Sequence, residues 1–338
     1  MPADNTGRKL HFRKDINGLR AYAVIAVLLY HYEITGFSGG FIGVDVFFVI
    51  SGFLMTAIIF SGIEAGTFTL SGFYLARARR IVPALAVVCI ALLVFGWFWL
   101  APHHYEAIGK NAGASILFFS NLIYNRAGGY FASPAEENWL LHTWSLSVEW
   151  QFYLIYPILL TLLYKYSRDF RRNAYIALVV ITLASAGYSL YKTETDPVDA
   201  FFILPTRFWE LVAGGLVYLY TSRPGRSLNT EYHGLFLILL SIFLFNDDTG
   251  WPGILAIVPV TGTCLVILSV RQESIWTCNR FAQAIGRWSY SIYLWHWPLV
   301  VGIRYFGVMN DPLWLSFAVV ASILLGALSY TFVEQTSA

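Results

Sequence analysis

Long apolar runs recur along the whole chain, separated by short polar segments. A membrane-spanning helix needs about 20 mainly apolar residues, because the hydrocarbon core of a bilayer is about 30 Å thick. Ten runs are candidates for such helices, at 19–37, 41–61, 81–101, 146–166, 173–191, 203–221, 233–246, 252–270, 288–308 and 313–333. The pattern therefore predicts an all-α, polytopic integral membrane protein with about ten transmembrane helices.

The composition supports the same fold class. Hydrophobic residues make up 57% of the 338 residues and charged residues only 12%, against roughly 25% charged in soluble domains. Too few polar residues remain to cover the surface of a soluble helical core. The net charge of +2 gives no indication of nucleic-acid binding. The three cysteines form no CxxC pair, so we predict neither a disulfide framework nor a metal site.

The distribution of basic residues predicts the topology. A weaker apolar run at 108–124 either crosses the membrane or stays outside. If it stays outside and the N-terminus is cytoplasmic, most of the 22 Lys and Arg residues fall on the cytoplasmic side, as the positive-inside rule requires. If it crosses, the basic segment 165–172 faces outward. We therefore expect a single domain over 1–338, with segment 1–18 and both termini cytoplasmic. The outer loop is then 102–144, and 108–124 is a re-entrant or interfacial helix within it.

This outer loop is rich in Trp, Tyr, His and Asn. Aromatic rings stack on the C–H faces of sugars while polar groups bond the hydroxyls, so the loop suits a sugar ligand. An ordinary belt of aromatic residues at the membrane interface explains the same composition. Both interpretations stay open at this point.

Three ionisable residues stand in the first two apolar runs: Arg20, His31 and Asp45. A charge at the centre of a membrane helix costs about 2.5–3.5 kcal/mol on insertion scales, so function is the default hypothesis. On a helix, Arg20 and His31 share a face about 16 Å apart, which predicts His31 near the midplane. Asp45 follows a glycine-rich turn and is expected to orient His31 as a general base. The alternative for His31 is a structural hydrogen bond between helices.

A run of arginines stands directly before the third predicted span, at Arg77, Arg79 and Arg80. Arg77 and Arg80 are three residues apart and share a helix face. Arginine binds phosphate through two parallel hydrogen bonds, which lysine cannot do. The run therefore predicts a site for a phosphorylated cytoplasmic donor such as a coenzyme A thioester. The alternative is an ordinary positive-inside anchor.

The fourth predicted span carries a polar stripe on one face, at Ser145, Glu149, Tyr153 and Tyr156. We predict that this stripe lines a cavity, because an ionisable residue within a span indicates function. A serine nucleophile is disfavoured, since no GxSxG elbow surrounds Ser145.

Two smaller polar groups occur in later spans. Arg207 and Glu210 are three residues apart and are predicted to pair with each other. Ser289, Tyr293 and His296 share one helix face. His296 is either a second polar wall of the site or an interfacial histidine.

Together these motifs resemble the acyltransferase-3 family of integral membrane acyltransferases, and most of all its bacterial O-antigen and related polysaccharide O-acetyltransferases. The Arg–x10–His pair of that family falls on Arg20 and His31, and its RxxR motif falls on Arg77 and Arg80. The other matching segments are GFIGVDVFFVISGFL, FYLARARRIVPAL, LLHTWSLSVEWQFYLIYP, RFWELVAGG and SYSIYLWHWP. Each segment alone is a weak indication, but the combination is specific and covers nearly the whole chain.

The resemblance implies that an acetyl group passes from cytoplasmic acetyl-CoA to a sugar hydroxyl on the periplasmic side of the bacterial inner membrane. The acceptor is then a cell-surface polysaccharide of the lipopolysaccharide O-antigen type or a lipid-linked sugar. Acetyl-CoA is a co-substrate, and no metal is expected. The implied catalytic residues are His31, Asp45 and Arg20. Donor binding is implied for Arg77, Arg79, Arg80 and Arg20, and the acceptor side for Ser145, Glu149, Tyr153, Tyr293 and His296.

Two points stay open within this resemblance. Transfer is either direct or proceeds through an acetylated side chain such as a tyrosine. Many polysaccharide O-acetyltransferases of this type also continue into a periplasmic SGNH hydrolase-like domain, whereas this sequence has no GDS motif. It is either a single-domain member or part of a longer chain, and an SGNH-type domain or partner is expected to assist it in the second case.

Two other function classes compete with an acyltransferase. A secondary transporter exporting a lipid-linked sugar or a small anion predicts broken helices or repeat symmetry about the midplane, and the sequence shows neither clearly. If the protein were instead a non-catalytic membrane partner of another enzyme, the energetic cost of placing Arg20, His31 and Asp45 in the membrane would have no functional explanation. Binding of acetyl-CoA to the purified protein separates the enzyme from both.

Overall fold

The computed structural model describes residues 12–128, 138–220 and 227–337, and every regular element within these ranges is helical. Thirteen helices, α1 to α13, follow one another along these ranges. They are Lys14–His31, Gly43–Glu64, Leu70–Trp99, Pro102–Ile116, Ser120–Arg126, Thr143–Tyr166, Phe170–Thr195, Pro197–Phe202, Leu204–Tyr220, Leu228–Leu244, Ile257–Ser269, Arg280–Tyr305 and Pro312–Ser329. A 3₁₀ turn at Gly40–Ile42 precedes α2, and a π turn at Tyr330–Glu334 and a last turn at Gln335–Ser337 follow α13.

Several helices are long and apolar enough to cross a membrane. Six such segments occur in the described residues: Gly40–Glu64, Leu70–Trp99, Thr143–Tyr166, Phe170–Thr195, Pro197–Tyr220 and Pro312–Glu334. The helices α10 and α11 are apolar but shorter. Each of the ten predicted spans overlaps one helix. The chain is therefore an all-α, multi-pass membrane protein, while the number of crossings and the side of each terminus stay predictions.

The weak apolar run at 108–124 is not one continuous helix. It is divided between α4 and α5, which are separated at Leu117–Phe119, where Phe118 has a φ of 56°. A positive φ is unfavourable for a bulky residue, so a helix does not continue through it. The remainder of the predicted outer loop, 129–137, lies outside the described residues.

The third helix begins well before its predicted position at residue 81. α3 starts at Leu70, where the Thr69 side chain accepts a hydrogen bond from the Gly72 N–H. Hydropathy alone missed this start, because the first turns of α3 carry arginines, which are good helix formers but polar. Arg77, Arg79 and Arg80 therefore lie inside α3 and not ahead of it.

The centre of the bundle is formed by α1, α2, α9 and α12, whose residues are largely buried. α2 and α9 touch through their backbones: a Cβ added at Gly52 would lie 1.6 Å from Leu211 O, and one at Gly214 would lie 1.9 Å from Val49 O. Small residues allow this close approach of membrane helices. The contact places the polar residues at the start of α2 beside those at the start of α9.

α1 runs beside α12 in the same direction. Near their starts, the Asn17 side chain donates to the Gln283 carbonyl over 3.0 Å. Near the end of α1, His31 meets His296. Polar contacts therefore join these two helices at both ends of α1.

Candidate active site

Two neighbouring cavities lie inside the bundle. The first, which we call the basic cavity, has a volume of about 100 Å³ and lies among α1, α2, α3, α6 and α12. The second, which we call the histidine pocket, is smaller, about 30 Å³, and lies among the end of α1, the starts of α2, α6 and α9, and the segment after α10. The polar residues singled out in the sequence are divided between these two cavities.

The basic cavity carries excess positive charge. Arg20, Arg77 and Arg80 line it, and none of the three forms an ion pair with another described residue. Arg77 Nε is buried and has no hydrogen-bond partner in the described part of the chain. A buried donor without a partner is costly, so an anion with several oxygens fits this cavity well.

One carboxylate lies among these arginines. Glu149 accepts hydrogen bonds from Ser51 and from the Tyr153 hydroxyl, the latter over 2.5 Å. Its negative charge offsets only part of the positive charge in the lining. Glu334, in the π turn after α13, also interacts electrostatically with Arg20.

The five predicted acceptor residues do not share one cavity: Tyr293 lines both cavities, and His296 lines neither. Ser145, Glu149 and Tyr153 line the basic cavity together with the predicted donor arginines, and not the histidine pocket. The polar stripe on α6 is confirmed as a cavity lining for these three residues. Tyr156 points elsewhere, and its hydroxyl is 2.7 Å from Thr56 Oγ1. Sequence periodicity predicted which residues of α6 share a face, but it could not predict which other helices that face contacts.

Arg79 does not belong to the basic cavity. It is exposed and absent from the lining, whereas Arg77 and Arg80 are both part of it. One residue corresponds to about 100° of helix rotation, so Arg79 faces away from Arg77 and Arg80. The RxxR spacing, which includes Arg77 and Arg80 only, therefore predicted the cavity-lining arginines correctly, whereas the prediction that included Arg79 was too broad.

A pair of hydrogen-bonded imidazoles lies at the edge of the histidine pocket, and His31 is the member that lines it. His31 Nδ1 lies 3.0 Å from His296 Nε2, and His296 Nδ1 lies 2.6 Å from the carbonyl oxygen of Tyr293. A carbonyl only accepts, so His296 carries its hydrogen on Nδ1, and in the neutral ring its Nε2 accepts. His31 must then donate from Nδ1, which makes Nε2 its proton-accepting nitrogen. These tautomers are assigned from the hydrogen-bond network.

Asp45 does not orient His31, and that prediction is wrong. Asp45 Oδ1 accepts from Arg207 Nη1 over 3.1 Å and from Trp251 Nε1 over 3.3 Å. The close packing of α2 on α9 carries Asp45 to Arg207. The predicted pair of Arg207 with Glu210 is confirmed, at 3.0 Å. The group against His31 Nδ1 is instead His296.

His31 is also not in the middle of its helix. α1 begins at Lys14 and ends at His31 itself. The expected midplane position assumed a span over 19–37, whereas α1 both starts earlier, at Lys14, and ends earlier, at His31. Arg20 is therefore associated with the basic cavity and His31 with the histidine pocket.

The sequence analysis missed several residues of the pocket. His142 is buried, lines the pocket, and has no hydrogen-bond partner in the described residues for either ring nitrogen. It stands in the segment LLHTWSLSVEW, just before the polar stripe of α6, and the helical spacing of that stripe does not include it. Trp251 and Asp247 come from the short segment after α10, which no periodic pattern marks.

A bundle of apolar helices encloses a buried imidazole pair and a cavity with excess positive charge, and these features suit an enzyme embedded in a membrane. The model of the acyltransferase domain of the acyltransferase-3 family matches residues 13–331. The chain belongs to the acyltransferase-3 family, and it is a membrane-spanning acyltransferase.

Curated relatives agree with this assignment. The provisionally named membrane-bound transacylase BcsY of Komagataeibacter xylinus is 31% identical over 96% of this chain and 82% of its own length. A protein of Bacillus subtilis (strain 168), provisionally named peptidoglycan O-acetyltransferase YrhL, is 31% identical over 95% of this chain and 54% of its own length. A provisionally named O-acetyltransferase of Staphylococcus aureus (strain MSSA476) is 27% identical over 97% of this chain. The chain spans 57% of that protein. No solved structure shows significant similarity to the chain.

Proposed function

We propose that this protein transfers an acetyl group from cytoplasmic acetyl-CoA to a hydroxyl of a cell-surface glycan on the outer side of the bacterial inner membrane. The observation that carries the proposal is a histidine pair beside a cavity lined by three arginines, none of which forms an ion pair within the described part of the chain. The names of the relatives point to the same chemistry, since two of them describe O-acetyl transfer.

The donor site is the basic cavity. Coenzyme A carries a diphosphate and a 3′-phosphate, and charge-assisted hydrogen bonds from Arg20, Arg77 and Arg80 suit these groups. In the predicted topology, the starts of α1 and α3 face the cytoplasm, where acetyl-CoA is found. The flexible pantetheine arm then leads the thioester toward the histidine pocket.

His31 acts as the general base. As the acceptor hydroxyl oxygen attacks the thioester carbonyl carbon, His31 Nε2 takes the hydroxyl proton. The hydrogen on His31 Nδ1 keeps donating to His296, which stabilises the positive charge on His31. The C–S bond then breaks, and the leaving thiolate takes the proton back from Nε2. The products are the acetyl ester and free CoA.

His142 stabilises the charge that develops on the carbonyl oxygen. Neither ring nitrogen of His142 has a hydrogen-bond partner among the described residues, so its N–H can donate to this oxygen without breaking another hydrogen bond described there. Its burial strengthens the interaction, because the surroundings have a low dielectric constant.

The acceptor site is the histidine pocket and its opening. Aromatic side chains line it beside polar ones: Tyr30, Phe41, Trp144, Trp251, Asn246 and Asp247. Rings that stack on a sugar, next to groups that bond its hydroxyls, suit a glycan. Acceptors of this kind include an O-antigen-type polysaccharide, a lipid-linked sugar and peptidoglycan. An SGNH-type domain or partner would act on the same outer side.

The test measures donor binding and product formation separately. We expect the purified protein in lipid nanodiscs to bind acetyl-CoA by calorimetry, and to bind 3′-dephospho-acetyl-CoA more weakly. NMR of the surface glycans should lose the O-acetyl methyl signal on gene deletion and regain it on complementation. The peptidoglycan and polysaccharide fractions are measured in parallel to identify the acceptor. A protein that binds no acetyl-CoA, or a deletion that alters no acetyl signal in either fraction, would contradict the proposal; a transporter predicts both results.

A further inference from the structure

We infer that Val44 and Tyr293 form a wall between the basic cavity and the histidine pocket, and that this wall limits the size of the acyl group that can be transferred. The inference rests on the proposed function, since it assumes that the donor lies in the basic cavity and the base in the pocket. It adds a structural basis for acyl selectivity.

Val44 and Tyr293 are the two described residues that line both cavities. Their neighbours show where the boundary runs. On α2, Asp45 lines only the histidine pocket, and Phe47 lines only the basic cavity. Because Val44 lines both cavities and its neighbours on α2 each line one, Val44 lies where the two cavities adjoin.

The hydroxyl of Tyr293 is held from both sides of this boundary. It donates to the His142 carbonyl oxygen over 2.8 Å and accepts from Ser145 Oγ over 2.7 Å. His142 lines the histidine pocket and Ser145 lines the basic cavity. These two bonds fix the ring in place between the cavities.

The ring itself is also packed from both cavities. Its centroid is 6.4 Å from that of Phe47 and 5.4 Å from that of His142. Tyr293 is only 6% exposed. Because its carbonyl oxygen also accepts from His296, the same residue is connected to the histidine pair. The wall is therefore a rigid part of the site.

A thioester that starts in the basic cavity has to pass this wall to reach His31. A rigid opening of fixed size admits a small acyl group more readily than a large one, and each extra methylene changes such discrimination by about 10–200-fold. Val44 provides the aliphatic side of the opening, and Tyr293 provides the aromatic side. The wall thus favours acetyl over longer acyl groups.

The experiment compares acyl chain lengths in membrane vesicles that carry the native acceptor. Radiolabelled acetyl-, propionyl- and butyryl-CoA are supplied to the cytoplasmic face, and incorporation into the glycan fraction is measured. We expect Val44→Ala to raise the ratio of propionyl to acetyl transfer by about 10-fold or more. Tyr293→Phe keeps the ring but loses both hydrogen bonds, so it should raise the ratio by a smaller factor.

Two matched controls remove the same atoms elsewhere. Val46→Ala deletes the same two methyl groups at a buried position of α2 that lines neither cavity. Tyr156→Phe removes a buried hydroxyl that bonds Thr56 on α2. Both controls should keep the acyl ratio of the wild-type protein.

A narrowing variant tests the wall in the opposite direction. Val44→Leu should lower acetyl transfer while the affinity for free CoA stays unchanged, because the phosphate contacts lie in the basic cavity. The inference fails if Val44→Ala and Tyr293→Phe retain acetyl transfer with the wild-type ratio, or if Val44→Leu transfers acetyl normally. A wild-type protein that binds and transfers no acyl group would instead refute the proposed function.

Discussion

His31 Nδ1 and His296 Nε2 lie 3.0 Å apart, although 265 residues separate them in the chain. The contact fixes the tautomer of His31, because His296 gives its own hydrogen to the Tyr293 carbonyl. A neighbour that orients a base and stabilises its protonated form is a recurrent arrangement in acyl transfer. In this protein the neighbour is a second histidine, and not the aspartate that the sequence suggested.

Replacing His31 should abolish transfer. We expect His31→Ala and His31→Gln both to lose about 10²–10⁴-fold in rate, since neither side chain can take the proton. Expression and acetyl-CoA binding should stay close to the wild-type level, because the donor contacts lie in the basic cavity. Acetylation of the glycan is measured by NMR. Substantial acetylation by a well-expressed His31→Gln protein would show that this histidine is structural.

His296 should behave as a positioning residue. His296→Ala is expected to lower kcat by about 10-fold or more, with an unchanged KM for acetyl-CoA. The glutamine in His296→Gln can still accept the Nδ1 hydrogen of His31, so this variant should regain part of the lost rate. Steady-state kinetics in vesicles measure both parameters. Equal activities of the Ala and Gln variants would contradict a role through the hydrogen bond.

Arg77 and Arg80, the two arginines that α3 contributes to the basic cavity, should determine much of the donor affinity. We expect Arg77→Ala combined with Arg80→Ala to weaken acetyl-CoA binding by more than 10-fold, since each charge-assisted contact contributes about 1.5–3 kcal/mol. Lysine at both positions should restore only part of the affinity. Arg79→Ala is the matched control and should bind acetyl-CoA normally, because Arg79 is exposed outside the cavity. If the double variant binds acetyl-CoA with unchanged affinity by calorimetry, the motif serves only to set the membrane topology.

Asp45 should contribute more to stability than to the chemical step. Removing one partner of a buried ion pair costs about 3–5 kcal/mol, and the loss should be smaller in Asp45→Asn because Arg207 keeps Glu210. We expect a lower unfolding temperature, with activity per folded molecule well above that of His31→Ala. The control is Asp199→Asn, which removes a partly exposed pair with Lys192. If Asp45→Asn instead lost as much rate as His31→Ala while its unfolding temperature stayed normal, Asp45 would have a direct role in the reaction.

The topology can be checked at the two ends of α7. After replacement of the native cysteines, we expect a cysteine at Arg168 to react only with reagents that reach the cytoplasm. A cysteine at Glu194 should react with membrane-impermeant reagents from outside. Both positions are exposed. The reverse pattern would mean that the segment containing α4 and α5 crosses the membrane.

Within single helices, the sequence correctly predicted which residues share a face. The three-residue spacing identified Arg77 and Arg80 as one face, and the four-residue spacing did the same for Ser145, Glu149 and Tyr153. Contacts between helices could not be predicted in this way. The pairing of Asp45 with Arg207 depends on the close contact of α2 with α9 at their glycines. Periodicity within one helix does not indicate which other helix it packs against.

The helix ends were the other source of error. Hydropathy located the apolar core of α3 but not its polar first turns, and it placed the start of α1 five residues too late. That shift changed the expected depth of His31. Caps and charged turns are decided by local hydrogen bonds, such as that of Thr69, and an average over apolar windows does not detect them.

The side-by-side course of α1 and α12 has a consequence for biogenesis. α1 carries the proposed base and is synthesised long before α12, which carries its imidazole partner. Until α12 has inserted, His31 lacks the contact that sets its tautomer, and the basic cavity lacks the wall that α12 contributes. The proposed transfer reaction therefore requires that membrane insertion has proceeded as far as α12.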